Sequence, residues 1–244
     1  MADAAGATGL KDKVAVITGA SSGIGAAVAR ELAGAGVKLL LTARREDKLT
    51  ALAGELKNVS VLAGDITDPA LTPKLLDQAR KQFGSCDIVV NNAGELTAAP
   101  IELADLKAID HMVEVNVSAA FRVAYAAAKL FKEQGHGHLV NISSVLATRV
   151  RLMAGAYSGT KHALAALGEA LRMELSGTGI RVSAIEPGLV MTELHDRQPL
   201  HPRDELGVRQ ALEPADVARC VRFALEQPSH VLVARLMVLA SDQQ

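Results

Sequence analysis

Aromatic side chains are scarce in this 244-residue chain, which has no tryptophan, two tyrosines and four phenylalanines. Its core must therefore be built from Ala, Val, Leu and Ile. A surplus of either charge is also lacking, with 26 Lys and Arg against 27 Asp and Glu. That balance removes the electrostatic case for nucleic acid or an anionic membrane surface as partner. No apolar run approaches the ~20 residues that a membrane span requires. Cysteine is limited to Cys86 and Cys220, at no metal-binding spacing. Two free, packed thiols in a reducing cytoplasm are expected, and no metal. The opening MADAAGATG has no apolar h-region, so residues 1–9 read as a short flexible arm and not as a signal peptide.

What the chain does contain is a rhythm. Short β-branched runs at 13–18, 37–43, 59–64, 86–92, 138–143, 180–188 and 230–240 alternate with Ala/Leu-rich stretches long enough for crossover helices. Runs without polar alternation suit strands buried on both faces. The expectation is an α/β chain with one Rossmann-fold domain over 10–244, a doubly wound parallel sheet of seven strands with helices on both faces. The segment 192–213 is polar, contains two prolines and reads as a substrate lid. The HGH at 136–138 precedes a strand and reads as a surface turn rather than a ligand pair.

Directly after the first strand stands TGASSGIG, then a helical AAVARELAGAG. A strand, a tight glycine turn and a helix N-terminus aim backbone N–H groups at an anion, so Gly19, Ser21, Ser22, Gly23, Ile24 and Gly25 are candidate dinucleotide contacts. The spacing is GxxxGxG. In this it resembles the short-chain dehydrogenase/reductase family. The second strand ends LTARRED, with Ala43 where the NAD-preferring members of that family carry an acid. Arg44 and Arg45 follow, and guanidinium suits a ribose 2′-phosphate. NADP(H) is expected, with Arg44 the stronger candidate, although Glu46 and Asp47 also fit a simple helix start.

The resemblance extends along nearly the whole chain. It implies adenine contacts at Asp65 and Ile66 in GDIT, and cofactor contacts at Asn92, Ala93 and Gly94 in NNAG. It implies a helix asparagine at Asn116, which anchors a water linking the lysine to solvent protons. It also implies that Pro187, Gly188, Val190 and Thr192 in EPGLVMTE hold the nicotinamide end. Two segments repeat one spacing, AYAAAK at Tyr125–Lys129 and AYSGTK at Tyr157–Lys161. In open α/β sheets ligands bind outside the carboxyl ends of the strands, which is where Ser143, Ser144, Tyr157 and Lys161 fall. Tyr125 is nine residues past Asn116, and on a straight helix that points it away from the site. AYSGTK is therefore expected to work and AYAAAK to pack or form an interface. Strand alternation lets only one serine serve. Ser144 is preferred, because the family's serine precedes its tyrosine by the thirteen residues seen here.

A tyrosine of ordinary pKa is a poor base at neutrality, and lowering it by about three units takes roughly 4 kcal/mol. One cation about 4 Å away supplies a similar amount at an effective dielectric near 20. The expected chemistry is therefore interconversion of a small carbonyl compound and its alcohol, with Tyr157 as general acid/base, Ser144 holding the oxygen and Lys161 acidifying the phenol and gripping the ribose. Substrate contacts are expected at Ser144, Val145, Leu146, Glu95, Met153 and Leu189. Arg149 and Arg151 fit a carboxylate, a subunit contact or an exposed loop. The tail after residue 213 and IEPGLV look most like the NADP-dependent 3-hydroxy acid (serine) dehydrogenase and clavulanic-aldehyde reductase branch. The resemblance also implies a homotetramer. The alternatives are a 3-oxoacyl-carrier-protein reductase, a silent nucleotide-binding protein on the same fold, and a methyltransferase, against which Arg44 argues.

Overall fold

The computed structural model describes residues 9–195 and 207–243. Residues 1–8 of the expected arm and 196–206 of the expected lid lie outside them. Seven strands form one sheet in the order β3-β2-β1-β4-β5-β6-β7, and every pairing is parallel. They are β1 (Val14–Thr18), β2 (Lys38–Thr42), β3 (Val59–Val61), β4 (Ile88–Asn91), β5 (Gly137–Ile142), β6 (Ile180–Pro187) and β7 (Arg235–Val238). Each lies within or against one of the β-branched runs.

Alternation along the strands decides which helix each residue meets. Ala15, Ile17, Leu39, Leu41, Val90 and Ile142 pack against α1 (Gly23–Gly34), α2 (Glu46–Glu55) and α7 (Pro214–Leu225). Val14, Val16, Leu40, Val89 and Leu139 pack on the other face, against α3 (Leu71–Phe83), α5 (Ala120–Gln134) and α6 (Gly155–Glu174). Both faces are covered, so the strands need no polar alternation. With Phe131 the one large aromatic in that second layer to be fully buried, small and branched side chains do the filling, as the composition requires.

Strand order reverses between β1 and β4, and the crevice at such a reversal is where open α/β sheets bind ligands. A short helix α4 (Leu106–Val113) runs into α5 through a π-helical turn over Glu114–Ala119, which holds Asn116. The straight helix assumed from sequence is therefore absent there. One further expectation fails at β5. His138 is not on a surface turn but buried within the strand, its Nε2 2.8 Å from Ser183 Oγ, and burial pushes its pKa down to about 3.

The flanks of the lid segment are tied together. Met191 N donates to Leu212 O at 2.8 Å and Leu212 N to Leu189 O at 2.9 Å. A small cluster of Leu189, Met191, Val208, Ala211 and Ala240 packs beneath. No described helix is long and apolar enough to cross a membrane.

Candidate active site

A cleft of about 1020 Å³ lies along the carboxyl ends of β1, β2, β4, β5 and β6. At one end it is walled by Gly19, Ser21, Ser22, Gly23, Ile24, Arg44, Arg45, Asp65 and Ile66, and at the other by Ser144, Tyr157 and Lys161. Asn92, Ala93, Gly94, Glu95, Val145, Leu146, Pro187, Gly188, Leu189, Val190 and Thr192 line it between. Of the residues expected from sequence, Gly25, Asn116 and Met153 do not face it. Met153 stands at φ +61°, and its carbonyl accepts from Ala99 N at 3.1 Å.

The glycine turn is shaped by close approaches. Gly19 has φ +66°, and a β-carbon there would stand 2.9 Å from Ala93 Cα and from Asn92 Nδ2. A β-carbon on Gly25 would overlap the Gly19 carbonyl, so this glycine serves packing behind the turn. Asn92 staples the turn: its Nδ2 donates to Thr18 O at 2.8 Å, while Thr18 Oγ1 accepts from the N–H groups of Asn92 and Ala93 at 2.9 Å. Helix α1 begins here with no acid in its first turn and no side-chain cap. The hydroxyl of its cap residue, Ser22, is turned to Arg45 Nη2 at 2.6 Å. The positive end of the helix thus faces the cleft open to an anion.

The two arginines of LTARRED divide. Arg44 Nη2 pairs with Glu95 at 2.8 Å, and His111 approaches the same carboxylate at 3.5 Å. Arg45 instead reaches back over the turn, bonding Ser21 Oγ at 3.1 and 3.2 Å as well as Ser22. It also pairs with Glu193 at 2.7 Å, a carboxylate shared with Lys48 at 2.8 Å. Arg45, and not Arg44, is bonded to the serines of the glycine turn. The reason is Glu95, whose loop follows β4 and is invisible to a local reading of β2. Lys48 and Glu193 were not anticipated at all. Asp65 keeps its carboxylate low by accepting from Thr67 N and Oγ1 in a local turn.

At the other end Tyr157 and Lys161 share one face of α6, a turn apart. Tyr157 is 8% exposed and Tyr125 48% exposed, so only the former belongs to the cleft. Ser144 follows β5, and its hydrogen bond with the Tyr157 hydroxyl favours the phenolate. Its Oγ also accepts from Leu146 N at 3.1 Å. Lys161 Nζ donates to Ile142 O at 3.2 Å and stands 5.6 Å from the centre of the tyrosine ring. Asn116 lies behind the wall. Its amide clamps Glu95 from both sides, Oδ1 accepting from Glu95 N and Nδ2 donating to Glu95 O, each at 2.8 Å, and it bonds Thr160 Oγ1.

Electrostatics differ from the sequence estimate. Burial pushes the Tyr157 phenol up to about 12, against the opposing pull of Ser144 and of the Arg151 charge. Burial also pushes the Lys161 ammonium down to about 8. Desolvation of both groups outweighs the attraction that one cation supplies. In the ligand-free protein the lysine alone therefore does not make the phenol acidic.

This has a measurable consequence. The unfolded chain holds the lysine proton up to its ordinary 10.5, whereas the folded chain releases it near 8. Between these values the unfolded state binds more protons, so this residue's contribution to stability rises with pH across that window. Lys161→Met should be more stable than the parent below about pH 8, with the gap narrowing towards about pH 10. Denaturant midpoints across that range measure it, and a constant or widening gap contradicts the burial account.

A dinucleotide fits these residues. Thr42 Oγ1 and Ser143 Oγ, both on the cleft wall, are buried without a hydrogen-bond partner. With the open helix end and the serine-bound Arg45, the cleft offers polar groups along its length. Among the described residues there is no cluster of three or more potential metal ligands.

Residues 13–202 match the profile of a family described as short chain dehydrogenase. An uncharacterised oxidoreductase of Staphylococcus saprophyticus is 37% identical over 234 residues, spanning 94% of this chain and 97% of its own. The closed form of a serine dehydrogenase complexed with NADP+ superposes with a TM-score of 0.89 at 28% identity, over 95% of this chain and 96% of its own. A 3-ketoacyl-(acyl-carrier-protein) reductase of Brucella melitensis complexed with NADH gives 0.87 at 31% identity, over 96% and 99%.

Proposed function

Because the chain belongs to the short-chain dehydrogenase family, we propose that it is an NADP(H)-dependent oxidoreductase interconverting a small carbonyl compound and its alcohol. The observation that carries this reading is convergence: one cleft joins the glycine turn and Arg45 to Ser144, Tyr157 and Lys161. In this reading Gly19–Ile24 and the open end of α1 hold the pyrophosphate. Arg45, Lys48, Ser21 and Ser22 receive the 2′-phosphate, and Asp65 and Ile66 border the adenine. Asn92–Gly94, Pro187, Gly188, Val190 and Thr192 border the nicotinamide half.

The bound nicotinamide supplies the hydride and, once oxidised, a positive charge beside the phenol. The rest falls to the chain. Tyr157, raised to about 12, is fully protonated at neutral pH and is set to give its proton to an oxygen that gains charge. Ser144 donates its single hydroxyl proton in a hydrogen bond to that oxygen. Lys161 holds its charge below about pH 8 against the Ile142 carbonyl, one helical turn from the phenol. Asn116 keeps the wall in place through Glu95 and Thr160. For alcohol oxidation the same tyrosine must first lose its proton, so that direction gains rate with rising pH.

Arg149 and Arg151 also line the cleft, and the Arg151 charge reaches Tyr157. This favours carbonyl substrates that bear a carboxylate, such as semialdehydes and 3-oxo acids. A panel of aldehydes, ketones, semialdehydes and 3-oxo acids with NADPH tests the proposal by loss of NADPH absorbance. A carrier-protein-linked 3-oxoacyl substrate turned over in preference to all free compounds favours the ketoreductase reading. Tight NADPH binding with no turnover of any of them favours a silent nucleotide-binding protein.

A further inference from the structure

Arg45 and Lys48 are one helical turn apart on the rim of the cleft, and both are spent on a single carboxylate. Glu193 Oε2 accepts from Arg45 Nη1 at 2.7 Å and Oε1 from Lys48 Nζ at 2.8 Å. Arg45 is simultaneously anchored by Ser21 and Ser22, so its fork is held over the glycine turn whatever Glu193 does. Glu193 arrives from 148 residues away in sequence. It directly follows Thr192, whose methyl lies 3.1 Å from where a Gly23 β-carbon would be. The two bonds hold its carboxyl down at about 2, so it is charged at any ordinary pH.

Two cations and two hydroxyls gathered on one rim, filled by an anion from a distant loop, form a site with an occupant that can be exchanged. All the paired groups are between 41% and 47% exposed, so the ion pairs are weak and open readily. A phosphomonoester carries about −1.5 to −2 charges and three acceptor oxygens, and so is the stronger ligand for the same donors.

We propose that Glu193 is a cofactor-specificity residue, its carboxylate standing where a ribose 2′-phosphate would bind, so that NADP(H) displaces it while NAD(H) leaves it in place. This rests on the reading of the cleft as an NADP(H) site. It has two consequences. Glu193 lowers the apparent affinity for NADP(H) by the fraction of time it occupies the cations. Filling the phosphate site also unhooks Thr192–Leu194 from the rim, which couples the cofactor to the start of the segment that follows.

Calorimetric titration of the full chain with NADP+ and NAD+, in the parent and in Glu193→Gln, is the first test. NADP+ should bind about 2- to 10-fold tighter in the variant, as expected for the loss of two exposed ion pairs. NAD+ binding should change less than about twofold, because no 2′-phosphate competes. Hydrogen exchange supplies a second readout, using 2′-AMP and 5′-AMP as probes that leave the nicotinamide end empty. Exchange at Thr192–Leu194 should quicken with 2′-AMP and not with 5′-AMP in the parent, and respond to neither in the variant. Equal, tight NADP+ binding to both proteins overturns this inference alone, as does weaker binding to Glu193→Gln. Failure of NADP+ to bind either protein overturns the NADP(H) reading and this inference with it.

Discussion

Arg45→Ala is expected to weaken NADP(H) binding by about 10- to 100-fold, from the loss of charge-assisted hydrogen bonds worth about 1.5–3 kcal/mol. NAD(H) affinity should remain within about twofold, since the guanidinium has no 2′-phosphate to meet. The expectation rests on geometry rather than on the mere presence of basic residues. Arg45 is already oriented by three bonds to Ser21 and Ser22, so little rotamer freedom is left to lose when a phosphate arrives. Arg44 pairs with Glu95 and is not held over the glycine turn by Ser21 and Ser22, so Arg44→Ala should have the smaller effect. Titrations of each variant with both cofactors decide the matter. A larger loss in Arg44→Ala restores the order read from sequence, and an equal loss for NAD(H) removes the phosphate assignment altogether.

Tyr157→Phe is expected to lower turnover of the carbonyl substrate by about 10³-fold, within the 10²- to 10⁴-fold range that a positioned proton donor contributes. Cofactor affinity should change by less than about threefold. The substitution deletes one oxygen and keeps a ring that is 8% exposed and well packed, so the protein should fold as before. Tyr125→Phe provides the control, because that hydroxyl is on a half-exposed helix face outside the cleft. Steady-state rates with a saturating carbonyl compound measure both. Parent-like turnover in Tyr157→Phe would place the proton donor elsewhere.

What the sequence made legible was whatever depends on short-range pattern. The β-branched runs located all seven strands, most plainly the five inner ones, which are covered on both faces and cannot hide their apolar character. TGASSGIG marked the cleft, because a tight turn between strand and helix demands glycine where Gly19 meets Ala93. Tyr157 lines the cleft, as its place at the strand ends leads one to expect. A π-helical turn stands at Asn116, so a regular helix does not set the direction of Tyr125. The carboxyl ends of the strands alone place Tyr157 at the cleft.

What escaped was whatever depends on long-range pairing or on burial. Glu193 meets Lys48 across 145 residues, and no local pattern announces that contact. The Arg44–Glu95 pair likewise joins loops after two different strands. Desolvation of Tyr157 and Lys161 is likewise set by tertiary packing around α6, which no local pattern encodes. The lid expectation covers 192–213, of which 196–206 fall outside the described residues, while its flanks are joined through Leu189, Met191 and Leu212.

Isotope transfer from NADPH deuterated at the hydride-donating carbon of the nicotinamide examines the central claim most directly. After incubation with the protein and the best carbonyl compound of the panel, mass spectrometry of the alcohol should find deuterium on the carbinol carbon, in an amount matching the NADPH oxidised. In Tyr157→Phe the labelled alcohol should be nearly absent although the cofactor still binds. Alcohol formed without the label, or formed at the parental rate in that variant, contradicts the account.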